Sequence, residues 1–180
     1  MSFAGAKRKP VTDVLQLYEY AVGALARKMR TIAELKRLLR NRVVRGEEGE
    51  LLVEAVIAKL KDQKYLNDSR YAAAYSQYRQ TNEKFGRRRV IADLKTKGVH
   101  GDIIEQAVGA AYGDTNEEQL ARQFLERKRL KKPQNQRESA RVFRMLVRAG
   151  FSSATIFKIL KKWNVDDETL TALEGEADIG

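Results

Sequence analysis

Two glycines constrain this chain's architecture more than any other feature. Displacing the sequence by 52 positions lays Gly98 on Gly150. The same shift lays Val90, Ile91 and Leu94 on Val142, Phe143 and Leu146, Val99 on Phe151, and Ile104, Ala107 and Val108 on Ile156, Ile159 and Leu160. Matching apolar positions around a glycine at such a period mark a tandem repeat. Within each copy the apolar residues recur three and four apart, the spacing of one helix face, and the glycine that follows suits a left-handed C-terminal cap. A fainter copy lies upstream at a shift of 55, where Leu35 and Leu39 stand for Val90 and Leu94. There Val43 replaces the glycine, and RGEEGEL inserts roughly seven residues before Val56 and Leu60 restore the pattern.

No segment shows sustained period-2 alternation with turn chemistry, so the chain reads as all-α. The periodicity predicts nine helices, over about 11–28, 31–42, 48–63, 67–82, 86–98, 101–112, 115–130, 136–149 and 152–163. Thr31 and Glu34 form a capping-box pattern; Asn67 or Asp68 is expected to cap the fourth helix and Asp114 the seventh. The helices group into three-helix repeats at 11–63, 64–112 and 113–163, after an N-terminal extension 1–10 and before an acidic C-terminal tail 164–180. A unit of about 50 residues has little apolar surface to bury alone, so neighbours are expected to stack and share cores.

Charge narrows the partner. The net charge is +11, with 35 Lys and Arg against 24 Asp and Glu. Residues 164–180 hold six of those acids (Asp166, Asp167, Glu168, Glu174, Glu176 and Asp178) and no Lys or Arg, so the excess sits in the preceding chain. A polyanionic partner fits this balance better than an acidic small molecule. The helix after Gly98 opens VHGDIIEQ and the one after Gly150 opens FSSATIFK. Neither presents the exposed Arg, Asn, Gln or Lys set that reads base edges, which disfavours operator recognition. No cysteine is present, which is compatible with a reducing cytoplasm. The most apolar stretch, LLVEAVIAKL, is far shorter than the ~20 residues of a spanning helix, so no membrane role is expected.

Four segments, YEYAVGALARKMRTIAELKRLLRNR (18–42), KYLNDSRYAAAYSQYR (64–79), KFGRRRVIADLKTKGV (84–99) and RMLVRAGFSSATIFKIL (144–160), occur in an order and spacing that resemble the bacterial RecX family. The resemblance covers roughly residues 11–163. It implies an elongated, curved array of three tandem three-helix, helix-turn-helix-like repeats. It also implies a cytoplasmic, monomeric regulator that binds the RecA–DNA filament and lowers strand exchange, ATP turnover and co-protease activity, in DNA repair and SOS control. Single- or double-stranded DNA is a further partner under this expectation. A stand-alone, non-sequence-specific DNA-binding repeat protein is the alternative. Val43, the acidic insertion, Asn67 and the acidic tail depart from the family pattern.

Two basic clusters are candidates for the contact. Arg87, Arg88 and Arg89 open a predicted helix, at the end where the backbone dipole disfavours cations. Val90, Ile91 and Leu94 face inward, while Arg88, Arg89 and Lys95 point outward; Asp93 is placed to pair with Arg89, and Arg88 has no comparable partner. The second cluster comprises Lys128, Arg129, Lys131 and Lys132 about a helix C-terminus, followed by Arg141, Arg144 and Arg148 on one side of the next helix. The spacing of Tyr71, Tyr75 and Tyr78 makes one helical stripe, read as core with hydroxyls at the rim, and Trp163 is expected to cover the end of the array. Enzyme readings mostly fail on inventory: no phosphate-cradling glycine loop, no thiol and a single histidine, His100, so neither a nucleotide cofactor nor a metal is expected. A tyrosine nucleophile supported by arginines is the one reading that counting leaves open, with nothing marking one tyrosine as special. The tail's acids are expected to fold over the basic stripe and compete with the partner.

Overall fold

The computed structural model describes residues 9–177. Among these the chain forms ten α-helices and no strand: α1 (Val14–Arg27), α2 (Ile32–Arg40), α3 (Glu47–Asp62), α4 (Asp68–Thr81), α5 (Arg87–Thr96), α6 (Gly101–Tyr112), α7 (Glu117–Arg127), α8 (Gln136–Arg148), α9 (Ser153–Lys162) and α10 (Asp167–Ala177). The first nine fall on the predicted segments to within a few residues. Caps follow side-chain chemistry. Thr31 and Glu34 make both bonds of a capping box at the start of α2, and Asn67 accepts the Arg70 N–H at 2.9 Å. For α7 the cap is Asn116, not Asp114: its Oδ1 accepts the Gln119 N–H at 3.0 Å, because the helix starts two residues later than the periodicity suggests.

Burial reproduces the repeat. Leu94 and Leu146 are fully buried, as are Val108 and Leu160, and Gly98 and Gly150 both take positive φ, +75° and +90°. Of the apolar residues matched by the 52-position shift only Ile91 is less than fully packed, being half-buried where Phe143 is buried, and Gly98 itself is exposed where Gly150 is buried. In the first copy Leu35, Leu39, Val56 and Leu60 are all at 0% exposure, so the divergent unit keeps the same core positions.

The chain divides into two compact units, with the divisions inside α4 and at the end of α5. The first runs through Tyr71 and includes Lys97–His100. Its core joins Leu17, Ala21 and Ala24 of α1, Leu35 and Leu39 of α2, and Val53, Val56, Ile57 and Leu60 of α3. The acidic insertion becomes an extra N-terminal turn of α3, which reaches 16 residues, and puts Glu47, Glu48 and Glu50 where the helix dipole favours anions.

The second unit holds Ala72–Thr96 and the chain from Gly101 onward. Phe124, Phe143, Phe151, Ile156 and Leu160 are buried here. Helix α10 packs on α8 and α9. Its anchors, Leu170 and Leu173, are each 3% exposed, and Asp166 accepts the Thr169 N–H at 2.7 Å. Two leucines amid acids are too sparse a stripe to register as helical period, which is why the segment reads as a tail. Of its six acids, Asp178 lies outside the described residues.

Candidate anion-binding face on α5, α7 and α8

The arginine run begins at a close backbone crossing. Gly86, the residue before α5, donates its N–H to the Ala149 carbonyl at 2.8 Å, and Arg88 donates its backbone N–H to the Gly150 carbonyl at 3.2 Å. A Cβ on Gly86 would lie 2.3 Å from the Gly150 oxygen, and one on Gly150 would lie 2.2 Å from the Arg89 nitrogen. Two glycines are therefore needed for the crossing to form. The negative end of α8 meets the positive end of α5, so two donors at the start of α5, on Gly86 and Arg88, are satisfied and its N-terminal field is partly offset by carbonyls. Cations at positions 87–89 consequently meet a weaker penalty than at an open helix start.

The same crossing brings the two basic clusters together. Arg89 of α5, Lys128 at the end of α7 and Arg148 of α8 line one concavity of about 410 Å³, over a floor of Phe85, Phe124, Met145 and Ala149. None of its lining residues is acidic. Phe85 is fixed by Tyr112, whose hydroxyl donates to the Phe85 carbonyl at 2.9 Å; burial raises the Tyr112 hydroxyl's pKa, keeping it a donor. The rings of Phe85 and Phe124 lie tilted at 5.9 Å, and Phe124 meets Phe151 edge-on at 5.8 Å.

Arg89 pairs with Asp93 at 3.0 Å and remains 46% exposed, as an i, i+4 pair should. Asp93 also accepts from the Tyr75 hydroxyl at 2.9 Å. Arg88 does have an electrostatic partner, contrary to expectation. It faces Glu117, the first residue of α7, which is remote in sequence and so invisible to helical spacing. Burial pushes the Glu117 carboxyl up, but hydrogen bonds from the Ser152 and Thr155 side chains and the Ser152 N–H, with the Arg88 charge, more than offset it, so its pKa lies below the ordinary value.

The other candidates distribute as follows. Arg87 and Lys95 are exposed on α5, Lys95 lying well beyond the concavity. Arg129, Lys131 and Lys132 are exposed in the α7–α8 connection. Arg141 and Arg144 stand on the same side of α8 as Arg148, whose Nε donates to the Arg144 carbonyl at 3.3 Å, and they extend the positive row away from the pocket. Sequence reasoning missed Arg79 of α4. Its guanidinium donates to the Tyr75 hydroxyl at 2.8 Å, pairs with Glu83 at 3.1 Å and lies 5.1 Å from the Phe85 ring centroid. Only the Arg79–Glu83 spacing was legible beforehand. Of the tyrosine stripe, Tyr71 is buried as expected, Tyr75 half-buried, and Tyr78 54% exposed. Among the described residues no cluster of three or more His, Asp or Glu is placed to hold a metal, and no helix is long and apolar enough to cross a membrane.

Comparison with known proteins adds a family. A family model described as RecX, second three-helix domain, matches residues 67–108. A regulatory protein RecX from Myxococcus xanthus is 34% identical over 170 residues, which cover 87% of this chain and 90% of that protein. One from Geobacillus thermodenitrificans is 31% identical over 172 residues, covering 92% of this chain and 61% of its own length. The chain thus spans less than two thirds of that longer relative. The crystal structure of RecX from Lactobacillus salivarius matches with a TM-score of 0.64 at 22% identity, over 84% of this chain and 96% of that one, which is a likeness of fold.

Proposed function

Since the chain belongs to the RecX family of regulatory proteins, we propose that it binds the RecA–DNA filament and restrains its recombinase, ATPase and co-protease activities. It acts as a cytoplasmic monomer in DNA repair and SOS control. The observation that carries this reading is the convergence of Arg89, Lys128 and Arg148 on one concave face with no acidic residue among its lining. A DNA-coated protein polymer is anionic along its whole length, and such a face gains by displacing its counterions. Arg87, Arg88, Arg129, Lys131, Lys132, Arg141 and Arg144 extend the charged margin, while Lys95 reinforces α5 farther along. Contact with the filament's single- or double-stranded DNA is part of the proposal.

The same charge would also serve a protein that simply coats nucleic acid, so the test separates the two. Filament ATPase is measured while the protein is added at levels far below those that saturate bare single-stranded DNA. Inhibition in that range supports filament binding. Inhibition only at DNA-saturating levels assigns the chain to non-sequence-specific DNA coating instead.

A further inference from the structure

The floor of the concavity specifies what sort of group enters it. We propose that it takes an apolar side chain flanked by carboxylates, presented by an acidic segment of a protein partner, and not a nucleobase. This rests on the filament-binding reading and names the chemistry of one contact within it.

Base stacking needs an open aromatic face, and the two floor rings are already occupied. Phe85 carries the Arg79 and Arg89 guanidinium groups at 5.1 and 6.0 Å from its centroid. Phe124 carries the Lys128 ammonium at 5.7 Å and is only 2% exposed. What remains to receive a guest is the half-buried Met145 beside ring edges and the alkyl stems of the rim cations. A thioether on a flexible chain adapts to aliphatic or aromatic side chains of varied shape. Around it, Lys128 and Arg148 supply positive charge on two sides, with Arg89 partly committed to Asp93. An apolar floor inside a cationic rim complements an apolar anchor inside an acidic stretch, and the rim charges steer such a segment in and fix its register.

The test uses the full chain with its three methionines, Met1, Met29 and Met145, carrying ¹³C-labelled methyl groups. It is titrated with three probes: the blocked peptide Asp-Glu-Leu-Glu-Asp, the same peptide with alanine for leucine, and a five-residue deoxythymidine oligonucleotide. The expected result is that the leucine peptide moves the Met145 methyl resonance and leaves Met29 in place, binding about tenfold more tightly than the alanine peptide, a difference of about 1.4 kcal/mol. The variant Met145→Gln, exposed enough to keep the fold, should abolish that preference while leaving the alanine peptide's affinity unchanged. Equal binding of the two peptides would reduce the pocket to a charge patch and overturn the proposal. So would tighter binding of the oligonucleotide with a Met145 shift, or no Met145 shift with any probe. These readings do not involve the filament, so the pocket chemistry can fail while filament inhibition stands, and the reverse.

Discussion

The molecule contains the same joint twice, once in each compact unit, and the two copies are finished differently. In the first, the start of α2 meets the residues that close α5: the Thr31 hydroxyl donates to the Lys97 carbonyl at 2.7 Å, and Gly98 lies so close to Ala33 that an added Cβ would be 2.4 Å from the alanine's own. In the second, the start of α5 meets the residues that close α8, through Gly86, Ala149 and Gly150. An acid at the first position of a neighbouring helix attends each: Asp68 accepts the Ile32 N–H at 2.9 Å, and Glu117 sits opposite Arg88. The first joint caps its helix with a side chain and places Glu34 in the first turn, where it bonds Lys97 at 3.0 Å. The second caps with a neighbour's carbonyls alone and places three arginines in that turn. Identical docking thus yields a neutralised joint in one unit and a cationic one in the other. The second joint, although Arg89 pairs with Asp93 and Arg88 faces Glu117, is the one that carries the proposed anion-binding surface.

The comparison can be broken most severely at the second joint. Gly150→Ala would drive a Cβ to 2.2 Å from the Arg89 backbone nitrogen at a φ of +90°, and Gly86→Ala meets a backbone oxygen. Neither obstacle can rotate away, so each should cost about 3–5 kcal/mol, read in urea unfolding or as a fall in Tm of about 10 °C or more. Gly98→Ala should cost less, about 2 kcal/mol, since it meets one close atom, the Ala33 Cβ, where the other two meet several, and the rest is φ strain. A double mutant with Ala33→Gly sharpens that distinction. It should recover part of the loss, and strict additivity would show that the methyl contact is not the cause. Thr31→Ala, removing a cap that the second joint never had, should cost about 1 kcal/mol.

Acid provides a smaller and oppositely signed probe. Glu117 has a lowered folded-state pKa, so its contribution is complete above its ordinary value near 4.5 and is lost as pH falls through the lowered value. Asp68 is shifted the other way: burial raises its pKa, and the nearby Glu34 charge adds to this against the Ile32 hydrogen bond. Its ionisation penalty is present at neutral pH and is relieved as pH falls through the raised value. Stability measured from pH 7 down to pH 3 should therefore lose part of its acid decline in Glu117→Gln. In Asp68→Asn it should decline more steeply than in the parent chain. The reverse pattern would mean that the two acids do not differ in the way their surroundings dictate.

Much of this organisation could be read from residue pattern. The repeated glycines marked both helix ends that approach a neighbouring element closely, Gly98 against the Ala33 methyl and Gly150 against the Arg89 backbone. Val43 occupies the corresponding place in the first copy, where Val11 donates its N–H to the Arg42 carbonyl at 2.7 Å. The Arg89–Asp93 pair followed from helical spacing. What spacing could not show is which distant elements share a face: the meeting of Arg89 with Lys128 and Arg148, the Arg88–Glu117 pairing and the Phe85–Phe124 floor are products of the α5–α8 crossing. Helix α10 was missed for a different reason, since two leucines suffice to dock a helix onto an existing core but not to announce it in sequence.

The central claim is that the cationic second joint contacts the filament, and Arg88→Glu combined with Arg89→Glu tests it most directly, by equilibrium binding to preformed filaments at low salt. Both side chains are exposed, and exposed pairs contribute about 1 kcal/mol or less, so the fold should persist. Tm should fall modestly, because the glutamate introduced at position 88 would face Glu117 and that at position 89 would face Asp93. The account predicts at least a tenfold (about 1.4 kcal/mol) loss of affinity and a shallower dependence on salt. Unchanged affinity and salt slope in a folded double variant would contradict it, leaving the arginine run an ordinary solvated surface.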